Sequence, residues 1–116
     1  MSKSTKEKTC VFCERIAKEE YDDRFANHVA FEPLNPVVKG HILVVPVIHT
    51  PNLSDIYLEW SETGWALRYF TSDLEDYNVI TSKGENATQT VQHLHWHIIP
   101  RTKDDGLKLP WTGQPR

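Results

Sequence analysis

The sequence predicts an α+β domain built on an antiparallel β-sheet, with a short helix near the start and one longer helix in the middle. Three observations point there. Short runs of β-branched and aromatic residues recur between turn formers. Helix formers fill one brief and one long segment. Residues 93–100 (His-Leu-His-Trp-His-Ile-Ile-Pro) alternate polar with apolar at their start, the two-residue period of a half-buried strand.

Taken in order, residues 1–9 are polar and expected to be loosely held. Glu14 to Glu20 reads as a short helix directly after Cys10 and Cys13. Val29 to Phe31 reads as a brief strand, with His28 before it in a solvated loop. Val37, Val38 and Gly40 mark a turn, and His41 to Val45 forms a buried strand stopped by Pro46. Ser54 to Leu74 carries Trp60, Trp65, Leu67, Tyr69, Phe70 and Leu74 and is long enough for a helix, with Ser61 and Glu62 near its start and Gly64 as a weak interruption. Trp60 and Trp65 are expected to pack on that helix's face against the core. Tyr77 to Thr81 reads as a strand, Ser82 to Gln92 as a polar loop and His93 to Pro100 as a strand. Lys103 to Arg116 is interrupted by Gly106, Pro110, Gly113 and Pro115 and is expected to be loosely held.

With 116 residues, 39% apolar and 25% charged, the chain has one domain's length and a globular balance, so 1–116 is read as a single domain. The longest strongly apolar stretch, Ile42 to Ile48, is interrupted by Pro46 and falls far short of the ~20 residues that span a bilayer. The polar start leads into no apolar segment of the kind an export signal uses, so a cytoplasmic location is expected. A formal charge of −3 argues against wholesale binding to a nucleic-acid polymer or an anionic membrane; an anionic ligand would need a local site. Cys10 and Cys13 are the only cysteines, and in a reducing compartment their C-x-x-C spacing favours metal or redox chemistry over a structural disulfide.

On a strand, His93, His95 and His97 share one face at roughly 6–7 Å spacing, because side chains alternate and each residue rises ~3.3 Å. On a helix, each successive ring would turn by roughly 200° and the histidines would mix with Leu94 and Trp96. The row suits two chemistries. Three imidazoles around a zinc ion with an open position would activate water, although a flat row diverges by roughly 13 Å end to end and only neighbours could share an ion. Alternatively, neutral imidazole is a nucleophile at phosphorus, and crowding several rings opposes charging them all.

His93-Leu-His-Trp-His-Ile-Ile, together with Pro36-Val-Val-Lys-Gly-His41-Ile-Leu-Val-Val-Pro46 and the Cys10–Cys13 pair, resembles the histidine triad superfamily of nucleotide hydrolases and transferases. The resemblance runs from Cys10 through Arg101. It implies a small-molecule nucleotide substrate, with His95 attacking the α-phosphorus to form a nucleotidyl-histidine that water hydrolyses. His97 would contact and help protonate the leaving group, and His41 would orient His97 by hydrogen bonding. Gln89 and Thr90 match polar positions that hold phosphate oxygens, and Ser82 stands where many members have asparagine beside the phosphate. Phe31 and Leu34 match apolar positions around the base. Pro33 replaces the residue that binds ribose hydroxyls, with Glu32 beside it as a substitute. The same resemblance implies a structural Zn²⁺ on Cys10, Cys13, His49 and His93, and a homodimer. A nucleotide-binding module without catalysis, suggested by Pro33 and Ser82, stands as an alternative to the hydrolase, as does the zinc-activated-water hydrolase. Arg101 and Lys103 are either phosphate-steering or ordinary surface charges.

Overall fold

The computed structural model describes residues 10–55 and 60–112. Among them are two α-helices, α1 (Val11–Ala17) and α2 (Trp60–Thr71), and five strands: β1 (Asp23–Phe25), β2 (His28–Phe31), β3 (Ile42–Pro46), β4 (Tyr77–Ile80) and β5 (Trp96–Pro100). The strands form one sheet in the order β1-β2-β3-β5-β4, and every neighbouring pair is antiparallel. This is the α+β architecture the sequence predicts, with one helix on each face of the sheet.

Strand alternation divides the core into two layers. Val29 and Phe31 of β2 and Leu43 and Val45 of β3 pack with Cys10 and Phe12 on one side. Ala30, Val44 and Ile98 pack with Leu67 and Phe70 of α2 on the other. Leu43 lies opposite His97 in the β3–β5 ladder, so His97 faces the α1 layer while Trp96 and Ile98 face α2.

α1 starts earlier than its helix formers suggest. Cys10 caps it, its Sγ accepting the Cys13 N–H at 3.2 Å, so Cys13 lies within the first turn. After Ala17 the chain reverses through Glu19 at φ 55°, and the Glu19 and Glu20 N–H groups return to the carbonyls of Ile16 and Arg15. β1 has almost no sequence signal. It is short and polar, and its turn to β2 through Ala26-Asn27 contains no glycine even though Ala26 sits at φ 51°.

His28 corrects the solvated-loop expectation. It begins β2, is fully buried, and places Nε2 3.2 Å from Thr63 Oγ1 on α2. α2 is shorter than Ser54–Leu74. A separate 3₁₀ turn covers Leu53–Asp55, and 56–59 lie outside the described residues. The inward stripe of α2 is Thr63, Ala66, Leu67 and Phe70, at helical spacing. Trp60 and Trp65 fall off that stripe and stay about half exposed (50% and 56%), which corrects their expected packing.

Residues 104–112 form no regular element, yet their beginning is fastened. The Arg101 guanidinium donates to Asp105, to Asn78 Oδ1 and to the Leu107 carbonyl, so it is engaged within the fold. The expected loose ends at 1–9 and 113–116 lie outside the described residues. No helix among the described residues is long and apolar enough to cross a membrane.

Candidate functional site

The three alternating histidines lie on the α1 side of the sheet, but the regular ladder begins only at Trp96. Before it, other groups satisfy the backbone. Leu94 N–H donates to the Thr50 carbonyl at 2.6 Å, and Thr81 Oγ1 donates to the His95 carbonyl at 2.8 Å. Phe12 bridges the row, its ring centroid 5.9 Å from His93 and 5.2 Å from His95, while His95 and His97 are 5.3 Å apart. The row then divides its work. His93 turns toward the cysteines, and His95 and His97 line a cavity of about 500 Å³.

Cys10, Cys13, His49 and His93 bring their ligand atoms within 4.8 Å of one another and could hold a metal ion. Cys10 Sγ lies 3.2 Å from His93 Nδ1, and Cys13 Sγ lies 3.2 Å from His49 Nδ1 and 3.5 Å from His93 Nδ1. A tetrahedral ion with zinc-length bonds sets sulfur and nitrogen about 3.6 Å apart, close to these separations. His93 is prepared for such a role. Its Nε2–H donates to the Pro46 carbonyl at 2.9 Å, which leaves the Nδ1 lone pair facing the sulfurs. Burial pushes the His93 pKa down to about 4, so the ring is neutral, as a ligand must be. With both thiols deprotonated, two thiolates and two imidazoles would close a four-coordinate site.

On the other side of Phe12, hydrogen bonds fix the ring tautomers. Val37 N–H donates to His41 Nδ1 at 3.1 Å, so His41 carries its proton on Nε2 and donates it to His97 Nδ1 at 2.9 Å. His97 therefore holds its proton on Nε2. His95 donates Nδ1–H to the His93 carbonyl at 2.7 Å, which leaves its Nε2 with a lone pair. The His97 pKa is pushed down to about 4 by burial, and further by His95 and His41. His41 is also lowered by burial, against the opposing charge of Glu32. The result is a neutral His97 donor beside the Nε2 edge of His95.

The remaining predicted residues separate. Phe31, Leu34 and Thr90 line the cavity. Ser82 and Glu32 do not: Glu32 is exposed, its backbone N–H bound to Asp22 at 3.3 Å, while Pro33 takes the place in the wall. Gln89 is buried and its amide is engaged internally. Its Oε1 accepts from Gly84 N–H at 3.0 Å, and its Nε2 donates to the carbonyls of Pro51 (2.8 Å) and Val91 (3.1 Å). It clamps the loop whose Thr88, held at φ 66°, also lines the cavity. A β-branched residue in the left-handed region is a strained position of the kind found at functional sites.

Phe12, Arg15, Asn35 and Val91 also line the cavity and carry no triad signature. Starting the helix at Cys10 would have found two of them, because Phe12 and Arg15 are then one turn apart on the face toward the sheet.

The sequence pattern of the HIT domain matches residues 21–104. The adenosine 5'-monophosphoramidase of Saccharomyces cerevisiae is 30% identical over 118 aligned residues, covering 96% of this chain and 75% of that protein. The asymmetrical bis(5'-nucleosyl)-tetraphosphatase of Schizosaccharomyces pombe is 36% identical over 83 residues, covering 66% of this chain and 46% of that protein. A solved structure described as a hypothetical protein from Leishmania major superposes with a TM-score of 0.78 at 30% identity, covering 95% of this chain and 86% of that one. Because the pattern spans well over half of the chain and the fold agrees, the protein belongs to the HIT domain family.

Proposed function

We propose that this protein is a nucleotide hydrolase that acts by covalent catalysis through His95, on a phosphoanhydride, ester or phosphoramidate bond of a small nucleotide. The observation that carries this reading is the His95 ring: Nδ1–H is tied to the His93 carbonyl and Nε2 is left for the cavity that is also lined by His97, the hydrogen-bond partner of His41. The names of the two relatives above, a nucleotide phosphoramidase and a dinucleoside polyphosphatase, support a hydrolase of small nucleotides at the level of the family.

In the first step His95 Nε2 attacks the α-phosphorus. The N–P bond forms as the bond to the leaving group breaks, and the leaving group departs with that electron pair and takes its proton from solvent. The neutral His97 donates a hydrogen bond from Nε2–H to the leaving atom, and His41 holds it in that tautomer. The positive charge that develops on His95 is met by the His93 carbonyl. In the second step water attacks phosphorus, the N–P electron pair returns to Nε2, and nucleoside monophosphate leaves while the water's proton goes to solvent. Thr88 and Thr90, which line the cavity, supply hydroxyls for the phosphate contacts expected of Gln89 and Ser82.

Structural zinc on Cys10, Cys13, His49 and His93 belongs to the same reading. It would neutralise the thiolates and fasten α1, and with it Phe12, to the sheet. The closed ligand set leaves no open position, which weighs against a zinc-activated water acting through the histidine row. A homodimer is proposed along β4, one of the sheet's two edge strands, where Tyr77 (41%), Val79 (36%) and Ile80 (37%) stay exposed; light scattering at micromolar concentration checks it.

The test is His95→Ala assayed on adenosine 5'-phosphoramidate and a dinucleoside polyphosphate. Turnover should fall by roughly 10³-fold or more, and wild-type enzyme quenched during turnover in alkaline denaturant, which spares an acid-labile N–P bond, should carry a nucleotidyl adduct on His95. Undiminished turnover in the variant refutes the covalent role.

A further inference from the structure

The cavity has two chemically different ends. The His95 ring lies 5.2 Å from Phe12, Phe12 lies 5.4 Å from Phe31, and the Arg15 guanidinium carbon sits 4.0 Å above the centre of the Phe31 ring. This chain of contacts leads from the histidines to an aromatic end covered by a cation. Apart from the histidines, Arg15 is the one ionisable side chain among the described residues that line the cavity. Pro33 stands in the same wall with no carboxylate to offer a ribose.

Arg15 is held in place. Its Nε donates to the Glu20 carbonyl at 3.1 Å, while the Glu20 N–H donates to the Arg15 carbonyl at 2.8 Å as part of the turn that ends α1. The reversal through Glu19 therefore ties this side chain to its own helix end. One guanidinium donor is used in that bond, and the two terminal nitrogens keep theirs. A flat, delocalised cation anchored this way can stack on a base with its face and pair with two acceptors along its edge.

We infer that Arg15 sets the base preference of this site and selects guanine or hypoxanthine over adenine; the inference rests on the hydrolase reading above. Guanine and hypoxanthine present O6 and N7, two acceptors that match a guanidinium edge. Adenine presents N7 beside the N6 amino group, a donor that opposes the guanidinium. No carboxylate in the described cavity wall is placed to reward adenine's amino group instead. Because Pro33 offers no carboxylate to a ribose, more of the recognition falls to the base end.

The experiment compares kcat/KM for guanosine, inosine and adenosine 5'-phosphoramidates in the full chain, in Arg15→Met and in Arg15→Lys, with calorimetric titration of GMP, IMP and AMP alongside. Wild type should favour guanosine and inosine over adenosine by roughly ten- to a hundredfold, the discrimination of a good bidentate contact. Arg15→Met should bring the three substrates to within about threefold of one another, and Arg15→Lys should keep only part of the preference because a point charge replaces the fork. Inosine lacks the guanine amino group, so its behaviour like guanosine assigns the effect to the O6/N7 edge. Equal turnover of all three by wild type, or an unchanged ratio in a folded Arg15→Met or Arg15→Lys, overturns the role of Arg15 and leaves the hydrolase reading standing. Failure to bind or cleave any of the nucleotides overturns both.

Discussion

Acidification from pH 7 to pH 5 should remove about 2 kcal/mol of folding free energy through His97 alone. The ring is partly buried between His41 and His95, and its pKa is pushed down to about 4, by burial first and then by the two neighbouring imidazoles. In the unfolded chain the same group titrates near ~6.5. Between those values the unfolded state binds more protons than the folded one, so stability rises with pH. The contribution is fully present above about pH 6.5 and is lost as the pH falls toward 4. The whole shift corresponds to about 3 kcal/mol, of which about two-thirds is gone by pH 5. Urea unfolding followed by tryptophan fluorescence at pH 7 and pH 5 measures it, with His97→Gln as the reference. The remaining ionisable groups are common to both proteins, so the difference between their two losses reports His97 together with its coupling to His95 and His41. Wild type should lose about 2 kcal/mol more than the variant. Losses that agree within about 0.5 kcal/mol would show that His97 is not held neutral by its surroundings and would remove the basis for treating it as a neutral donor.

Gly40→Ala places a Cβ 3.1 Å from Pro100 Cγ at a backbone φ of 90°; it should cost about 1–3 kcal/mol by melting and lower turnover, because His41 is the next residue. Thr63→Val removes the hydroxyl 3.2 Å from the buried His28 Nε2 without opening a cavity. It should destabilise by about 1–3 kcal/mol, with Thr63→Ser recovering most of the loss in the same denaturation assay. Chelation of a metal-loaded preparation should lower the melting temperature in step with measured metal content, and Cys10→Ser should reproduce the low-melting state; an unchanged melt after complete metal removal would exclude a structural role for the cluster.

Much of the candidate site is legible from residue spacing because strand alternation is a local rule. His97 faces the α1 layer and Ile98 the α2 layer, as the two-residue period requires. The glycine before His41 has a local reason too, since φ 90° favours glycine. Three features escaped for reasons that are not local. β1 is stabilised by pairing with β2 rather than by its own three residues. His28 looks like a loop residue until a hairpin and α2 bury it against Thr63. Gln89 carries the right chemistry for an anion, but the loop it clamps competes for the same amide and takes it.

Taken alone, the sequence determined the α+β class, the central strand and the face shared by the histidines, because each depends on side-chain type and short-range period; the four candidate metal ligands entered only through the family resemblance. Only the tertiary structure decided how the row divides. His93 is 83 positions from Cys10 along the chain, yet it meets the thiol, while His95 and His97 turn to a cavity whose far wall comes from α1. Tautomers likewise depend on partners remote in sequence: the His41–His97 bond joins rings 56 residues apart. A side chain's type states which contacts it is capable of making; packing decides which of them it has left for a ligand.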